Sequence, residues 1–238
     1  MQKLVDQARS ILGLSLSKEK IDLLKIYERE LLDWNKQVNL TAVNNLESVR
    51  VKHFLDSMTI QTAWDRSLPP KRLIDIGTGA GFPGLVLKMM WPATQVTLVE
   101  SVGKKAEFCH HIVQLLGLEH VTILAERAEV VGQDPDHRQS YDLAVARAVA
   151  RMPILMEYLL PLIHRNGRVM AMKGETAPAE THSAGRAIHI LGGKLNKLIK
   201  IELPGVVEER FIVVVEKIAQ TPDEYPRRVG IPAKRPIL

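Results

Sequence analysis

The chain has 238 residues, 46% of them apolar, with one cysteine and 32 Lys and Arg against 27 Asp and Glu, for a formal net charge of +5. One cysteine excludes an internal disulfide and an all-cysteine metal site, and no apolar stretch reaches the length of about 20 residues that a membrane helix requires. The composition therefore describes a globular cytoplasmic protein, with no membrane and no metal, whose moderate basic excess favours polyanionic partners.

The first segment, residues 1–66, reads as a helical extension. Ser17 is placed to cap a helix on which Ile21, Leu24, Tyr27, Leu31 and Trp34 recur at spacings of three and four, forming one apolar stripe. After a polar break at 35–41, Asn44 and Glu47 read as the cap of a further helix whose apolar face holds Val51, Phe54, Leu55 and Met58. Arg50, His53 and Ser57 fall on another face of that helix, with Asp56 beside them, as a solvated surface or as a polar lining for a cleft. The paired prolines Pro69 and Pro70 end the helical part.

The segment 67–220 opens on the stretch around which the chain is organised, Leu73-Ile74-Asp75-Ile76-Gly77-Thr78-Gly79-Ala80-Gly81-Phe82-Pro83-Gly84. An apolar run that stops at clustered glycines and restarts as a helix reads as strand, tight turn and helix, a cradle for a nucleotide-like molecule, with Pro83 at the first helical position. Gly79, Gly81 and Gly84 satisfy the dinucleotide pattern G-x-G-x-x-G. Asp75, Gly77, Gly79 and Gly81 satisfy the acid plus G-x-G-x-G pattern of S-adenosylmethionine sites. The motif alone leaves NAD, FAD and S-adenosylmethionine open.

Topology separates them. Strands are expected near 72–77, 95–100, 121–125, 141–146, 167–172, 195–203 and 210–217, alternating with helical patterns until the last two. Only Pro204 to Glu209 separates those two, too short for a crossover helix, so they should pair antiparallel. The expected fold is α/β, a Rossmann-like seven-stranded sheet whose last two strands are an antiparallel pair, which is the arrangement of class I S-adenosylmethionine-dependent methyltransferases.

Ligands bind beyond the carboxyl ends of strands in open α/β sheets, which singles out the residues where each strand stops. Glu100 ends the second strand 19 residues after Gly81, where an acid accepts ribose hydroxyls. Ala128 and Glu129 follow the third strand at the height of an adenine edge, Arg147 ends the fourth, and Lys173 ends the fifth. The fourth strand is not followed by the Pro-Pro-aromatic run of adenine amino methylation or by the Pro-Cys of cytosine carbon methylation. The histidines lack H-E-x-x-H spacing, and Gly84 is followed by Leu85, which breaks the Walker pattern. The tail, 221–238, carries four prolines together with Arg227, Arg228, Lys234 and Arg235, and reads as an extended basic arm without helix, suited to phosphate contact.

These residues, taken in order, resemble the bacterial small-subunit ribosomal RNA methyltransferase G family, also called glucose-inhibited division protein B. The resemblance is carried by Trp34-Asn35-Lys36 with Asn39-Leu40-Thr41, His53-Phe54-Leu55-Asp56-Ser57, the glycine cradle, Ser101 to Lys105, Ala146-Arg147-Ala148, Lys173-Gly174 and Tyr225-Pro226-Arg227-Arg228-Val229-Gly230-Ile231-Pro232. It implies methyl transfer from S-adenosylmethionine, leaving S-adenosylhomocysteine, to N7 of one guanine in 16S rRNA, with the rRNA or the 30S subunit as partner; a monomer is the expected state, which the sequence itself does not establish. It also places the cofactor against Gly77, Gly79, Phe82, Glu100, Ala128, Glu129 and Arg147. Glu at 100 and Ala at 128 stand where relatives carry Asp and Val. Arg147 is the candidate catalytic residue by positioning, and Lys104, Lys173, Arg227, Arg228, Lys234 and Arg235 are the candidate RNA contacts. A silent rRNA-binding assembly factor and a nicotinamide or flavin oxidoreductase are the alternative readings.

Overall fold

The computed structural model describes residues 1–238. Seven strands form one sheet: β1 (Arg72–Ile76), β2 (Gln95–Val99), β3 (Val121–Leu124), β4 (Tyr141–Arg147), β5 (Ile163–Lys173), β6 (Gly193–Ile201) and β7 (Arg210–Lys217), in the order β3-β2-β1-β4-β5-β7-β6. β1 to β5 run parallel, with Asp75 opposite Leu98 and Val145 opposite Met170. β7 runs antiparallel to both β5 and β6, with Lys173 opposite Phe211, so the expected hairpin is present with its second strand on the inside. β5 starts four residues before the expected 167, because Ile163 already pairs with Tyr141 ahead of a register shift.

The sheet is covered on both faces, as side-chain alternation requires. Leu73, Leu98 and Val145 point into one cluster, which they share with the amino-terminal helices α1 (Gln2–Leu12) and α2 (Lys18–Val38) and with α5 (Gly84–Met90) and α6 (Gly103–Leu115). Ile74, Ile76 and Ala144 point into the other, beneath α8 (Met152–Leu159), α9 (Ala177–Ser183) and α10 (Gly185–Ile190). The expected stripe of α2 buries Leu24, Tyr27 and Leu31, and Ser17 accepts from Lys20 N at 3.3 Å as its cap. The next cap is Asn45, not Asn44: its side chain accepts from Ser48 N at 2.9 Å, and Glu47 instead pairs with Lys3. That helix is three pieces, α3 (Leu46–Val49), a π-helical stretch at Arg50–Leu55 and α4 (Asp56–Ala63). Widening the turn at 50–55 changes the angular positions expected for its polar residues.

The tail differs from the expected extended arm. It returns over α7 (Ala128–Gln133) and α8, where Arg138 donates to the carbonyls of Tyr225, Thr221 and Pro222 at 2.7, 3.0 and 3.1 Å. It also makes one helical turn, α11 (Ile231–Lys234). Pro232 is compatible with that turn because the first helical N–H groups have no partner to lose.

Candidate active site

The loop after β1 is held from below by a buried acid. Asp75 Oδ2 accepts from Thr78 Oγ1 at 2.6 Å and from Gly84 N at 2.8 Å, which ties the start of the loop to the start of α5. Burial pushes this carboxyl up to about 7, against the lowering effect of those two hydrogen bonds. Gly84 is required by proximity, since a Cβ there would meet Leu98 at 2.4 Å and the Asp75 carboxylate at 2.8 Å. The expected role of Pro83 is shifted by one residue: it occupies the cap position, and α5 begins at Gly84. Gly79 is required by conformation alone, with φ of 61° and open space where its Cβ would stand.

Glu100 closes the loop on its other side. Its two oxygens accept from Gly79 N at 2.9 Å and Val102 N at 2.8 Å. Each carboxylate oxygen has a second lone pair, so both remain able to accept from a diol. From the amino-terminal helices, the Tyr27 hydroxyl donates to the Ala80 carbonyl and its ring stacks on Phe82 with centroids 5.2 Å apart.

Arg147, at the end of β4, is gripped by the π-helical stretch and α4. Its Nη1 donates to the Lys52 carbonyl at 2.9 Å and to Asp56 Oδ2 at 2.9 Å, its Nη2 lies 3.1 Å from His53 Nδ1, and its guanidinium sits 5.2 Å from the Phe82 centroid. His53 Nδ1 lies 3.1 Å from both Arg147 Nη2 and the Lys52 carbonyl, and His53 Nε2 lies 2.9 Å from Thr41 Oγ1. Burial first, and the Arg147 charge second, lower His53 to about 3, which keeps it neutral. Thr41 is fixed in turn by Asn35, whose amide makes two hydrogen bonds of 2.9 Å with the Thr41 backbone. After Arg147 the chain turns sharply through Ala148, which adopts φ of 57°, a conformation that costs a non-glycine residue about 1 kcal/mol.

Two cavities meet at Arg147. The larger, 470 Å³, is bounded by Gly77, Gly79, Phe82, Glu100, His53 and Arg147 among others, a size within the ordinary range for small-molecule sites. The smaller, 150 Å³, lies beyond the ends of β4 and β5 and is bounded by Asp56, Arg147, Met172, Lys173, Arg210 and Phe211 among others. The two share Arg147, Ala148 and Arg210.

The structure thus brings Gly77, Gly79, Phe82, Glu100 and Arg147 to one cleft. Ala128 and Glu129 stand outside its walls, at the start of α7, and the Glu129 carboxylate accepts from Gly230 N in the tail at 2.9 Å. Of the six expected RNA cations, Lys104, Arg228, Lys234 and Arg235 are exposed. Lys173 is instead bound by Glu180 at 2.7 Å and by the Ala150 carbonyl at 2.9 Å, and Arg227 forms an ion pair of 2.7 Å with the fully buried Glu157. Arg50 leaves the lining altogether for Glu28, at 2.6 Å. Sequence reasoning missed Arg210, whose Nη1 lies 3.4 Å from Asp56 Oδ2. The signal was available in the antiparallel pairing, since β7 begins where β5 ends.

The sequence profile of the family described as rRNA small subunit methyltransferase G matches residues 20–207. A protein of that name from Roseiflexus castenholzii is 51% identical over 226 residues, 95% of this chain and 95% of the relative. One from Bacillus cereus is 41% identical, over 98% of each chain. Among solved structures, TrmN from Thermus thermophilus superposes with a TM-score of 0.53 at 21% identity, over 68% of this chain and 48% of that one. A S-adenosylmethionine-dependent O-methyltransferase from Thermotoga maritima gives 0.52 at 17% identity, over 81% and 72%. Both structural likenesses concern the fold.

Proposed function

We propose, from the premise that the chain belongs to the rRNA small subunit methyltransferase G family, that it transfers the methyl group of S-adenosylmethionine to N7 of one guanine in small-subunit rRNA. The observation that carries this reading is the junction of the two cavities at Arg147, one shaped for the methyl donor and the other open for an acceptor base.

The residues of the larger cavity fit the donor. Gly79 leaves open space beside its backbone, and Glu100 has free lone pairs for the ribose hydroxyls. Phe82, with His53 stacked on it at 4.6 Å, forms an apolar wall next to the guanidinium. The donor supplies an electrophilic methyl on a sulfonium. Guanine N7 offers an in-plane lone pair and carries no proton, so no residue has to remove one. That agrees with a site whose histidine, lowered to about 3, is a poor base and whose buried acid holds Thr78 and Gly84 through Oδ2. What remains for the protein is orientation, and holding two reactants in near-attack geometry lowers a barrier by about 7 kcal/mol or more. Arg147 does this by fixing the junction between the cavities.

On the RNA side, Lys104, Arg228, Lys234 and Arg235 bind phosphates as exposed cations. N7 lies on the major-groove edge, which A-form RNA buries in a deep, narrow groove, so the acceptor base is taken out of the stack. The test is transfer from radiolabelled S-adenosylmethionine to purified 30S particles and to deproteinised 16S rRNA, followed by borohydride and aniline cleavage, which detects N7-methylguanine. Cleavage at a single guanine is the expected result. Cofactor binding with no label in RNA that lacks the modification would replace this reading by a silent assembly factor.

A further inference from the structure

The smaller cavity contains a carboxylate oxygen that the fold leaves unused. Asp56 makes its side-chain hydrogen bonds through Oδ2 alone, with Arg147 at 2.9 Å and Arg210 at 3.4 Å. Its Oδ1 accepts none, although the residue is only 3% exposed and forms part of the cavity wall. An acceptor that reaches a cavity with no protein donor on it is free to take one from whatever enters the site. The rest of the wall states what that something is. Arg147, Lys173 and Arg210 are donors, Met172, Ile212 and Phe211 offer flat apolar contact, and Asp56 is the one acidic side chain.

Guanine is the RNA base that matches a single carboxylate flanked by cationic donors. Its Watson–Crick edge presents two adjacent donors, N1–H and the 2-amino group, and next to them the O6 acceptor. Adenine presents an acceptor at N1, which would face the carboxylate and be repelled. Cytosine and uracil present one donor at most beside an acceptor. We propose that Asp56 is a specificity-determining residue whose Oδ1 accepts from N1–H and the 2-amino group of the acceptor guanine, an inference that rests on the guanine-methylation reading above. Oδ2 stays with the two arginines, which are thereby aimed at O6. This grip has a consequence for the chemistry. N7 lies in the five-membered ring, away from the N1 and 2-amino edge, so the base is held without any donor on the lone pair that must attack. An arginine reading N7 and O6 together, the usual way of recognising guanine in a groove, would block the reaction.

The test compares guanosine and inosine, which lacks only the 2-amino group, at the single modified position of small-subunit rRNA built by splinted ligation and reassembled into particles. Wild-type protein is expected to methylate the guanosine particle about 10- to 100-fold faster than the inosine particle. Asp56→Asn turns its amide NH2 toward the base, and its ratio is expected to fall to within about 3-fold of one. Asp56→Glu, which keeps a charge for both arginines and moves the acceptor by one methylene, is the second variant and should also lose the ratio. Cofactor binding, measured by calorimetry, establishes that each variant tested is folded. A wild-type ratio near one overturns the proposal. So does a pair of folded variants slowed equally on both particles, which would leave Asp56 as a support for Arg147 and Arg210 only. Failure of the wild-type protein to methylate the guanosine particle would instead remove the underlying reading, and is recognised before the inosine comparison is made.

Discussion

Arg147 and Asp56 form an ion pair of 2.9 Å that fastens the end of β4 to the start of α4, with the Asp56 side chain 4% exposed. Removing one member of such a buried pair strands the other and costs about 3 kcal/mol or more. Arg147→Ala is therefore expected to lower stability by about that amount in urea unfolding, and to reduce methyl transfer at least about 100-fold. Arg147→Lys restores charge but not the planar fork that reaches Lys52, Asp56 and His53 together, so it should recover stability in part and activity hardly at all.

Gly79 and Gly13 provide a matched pair of probes. Both have positive φ, 61° and 67°, and neither has an atom within 4 Å of an added Cβ. Alanine at either site should cost about 1 kcal/mol of stability from backbone conformation. Gly79→Ala should in addition weaken cofactor binding at least about 10-fold, because its methyl enters the space where a ligand approaches the backbone. Gly13→Ala should leave that affinity unchanged, and calorimetric titration of both decides the point.

The tail separates anchoring cations from available ones. Arg227 is bound to the buried Glu157, so Glu157→Gln should loosen the tail and expose the Arg227–Arg228 bond to trypsin. Arg235 is exposed, so Arg235→Ala should leave stability within about 0.5 kcal/mol and reduce the slope of log affinity against log salt for rRNA by about 0.7 to 0.9. Unchanged salt slopes in Arg228→Ala, Lys234→Ala and Arg235→Ala alike would remove the tail from the RNA interface.

Lys217 offers a signature in pH. It is fully buried, donates to the carbonyls of Leu160 and Leu191 at 2.9 and 2.8 Å and contacts Thr221 Oγ1, and burial, with the Arg138 charge adding, lowers it to about 7. A lysine lowered on folding binds more protons in the unfolded chain at pH values between its two pKa values. The unfolding free energy should therefore carry a component that is constant below about pH 7 and rises from there toward about pH 10. Urea titrations at a series of pH values should show that rise in the wild type and lose it in Lys217→Met.

The parts legible in the sequence were those set by short-range chemistry. The cradle, the position of Glu100 and the β6–β7 hairpin each depend on a local pattern of glycine, acid or loop length, and each stands where that pattern puts it. Partnerships across the chain were not legible. Nothing near Arg227 indicates that Glu157, 70 positions away, takes it out of the basic surface, and nothing near Lys173 points to Glu180. The cap at Asn45 instead of Asn44 is a choice between adjacent identical residues. Across the π-helical turn at 50–55 Arg50 pairs with Glu28 while His53 lies against Arg147, although three- and four-residue spacings had placed Arg50, His53 and Ser57 on one face.

The insertion of β7 between β5 and β6 also sets an order for biosynthesis. As the chain leaves the ribosome, β2, β3, β4 and β5 each find a neighbour among strands already made, but β5 gains its second neighbour only with residues 210–217. β6 emerges earlier and pairs with nothing until β7 arrives. A nascent or truncated chain that stops before Arg210 therefore presents the apolar strand Val169–Met172 with an open hydrogen-bonding edge, the kind of surface that chaperones bind and that leads to aggregation. Completion of the site is in this sense withheld until β7 has been made, because Arg210, a wall of both cavities, is delivered by that strand.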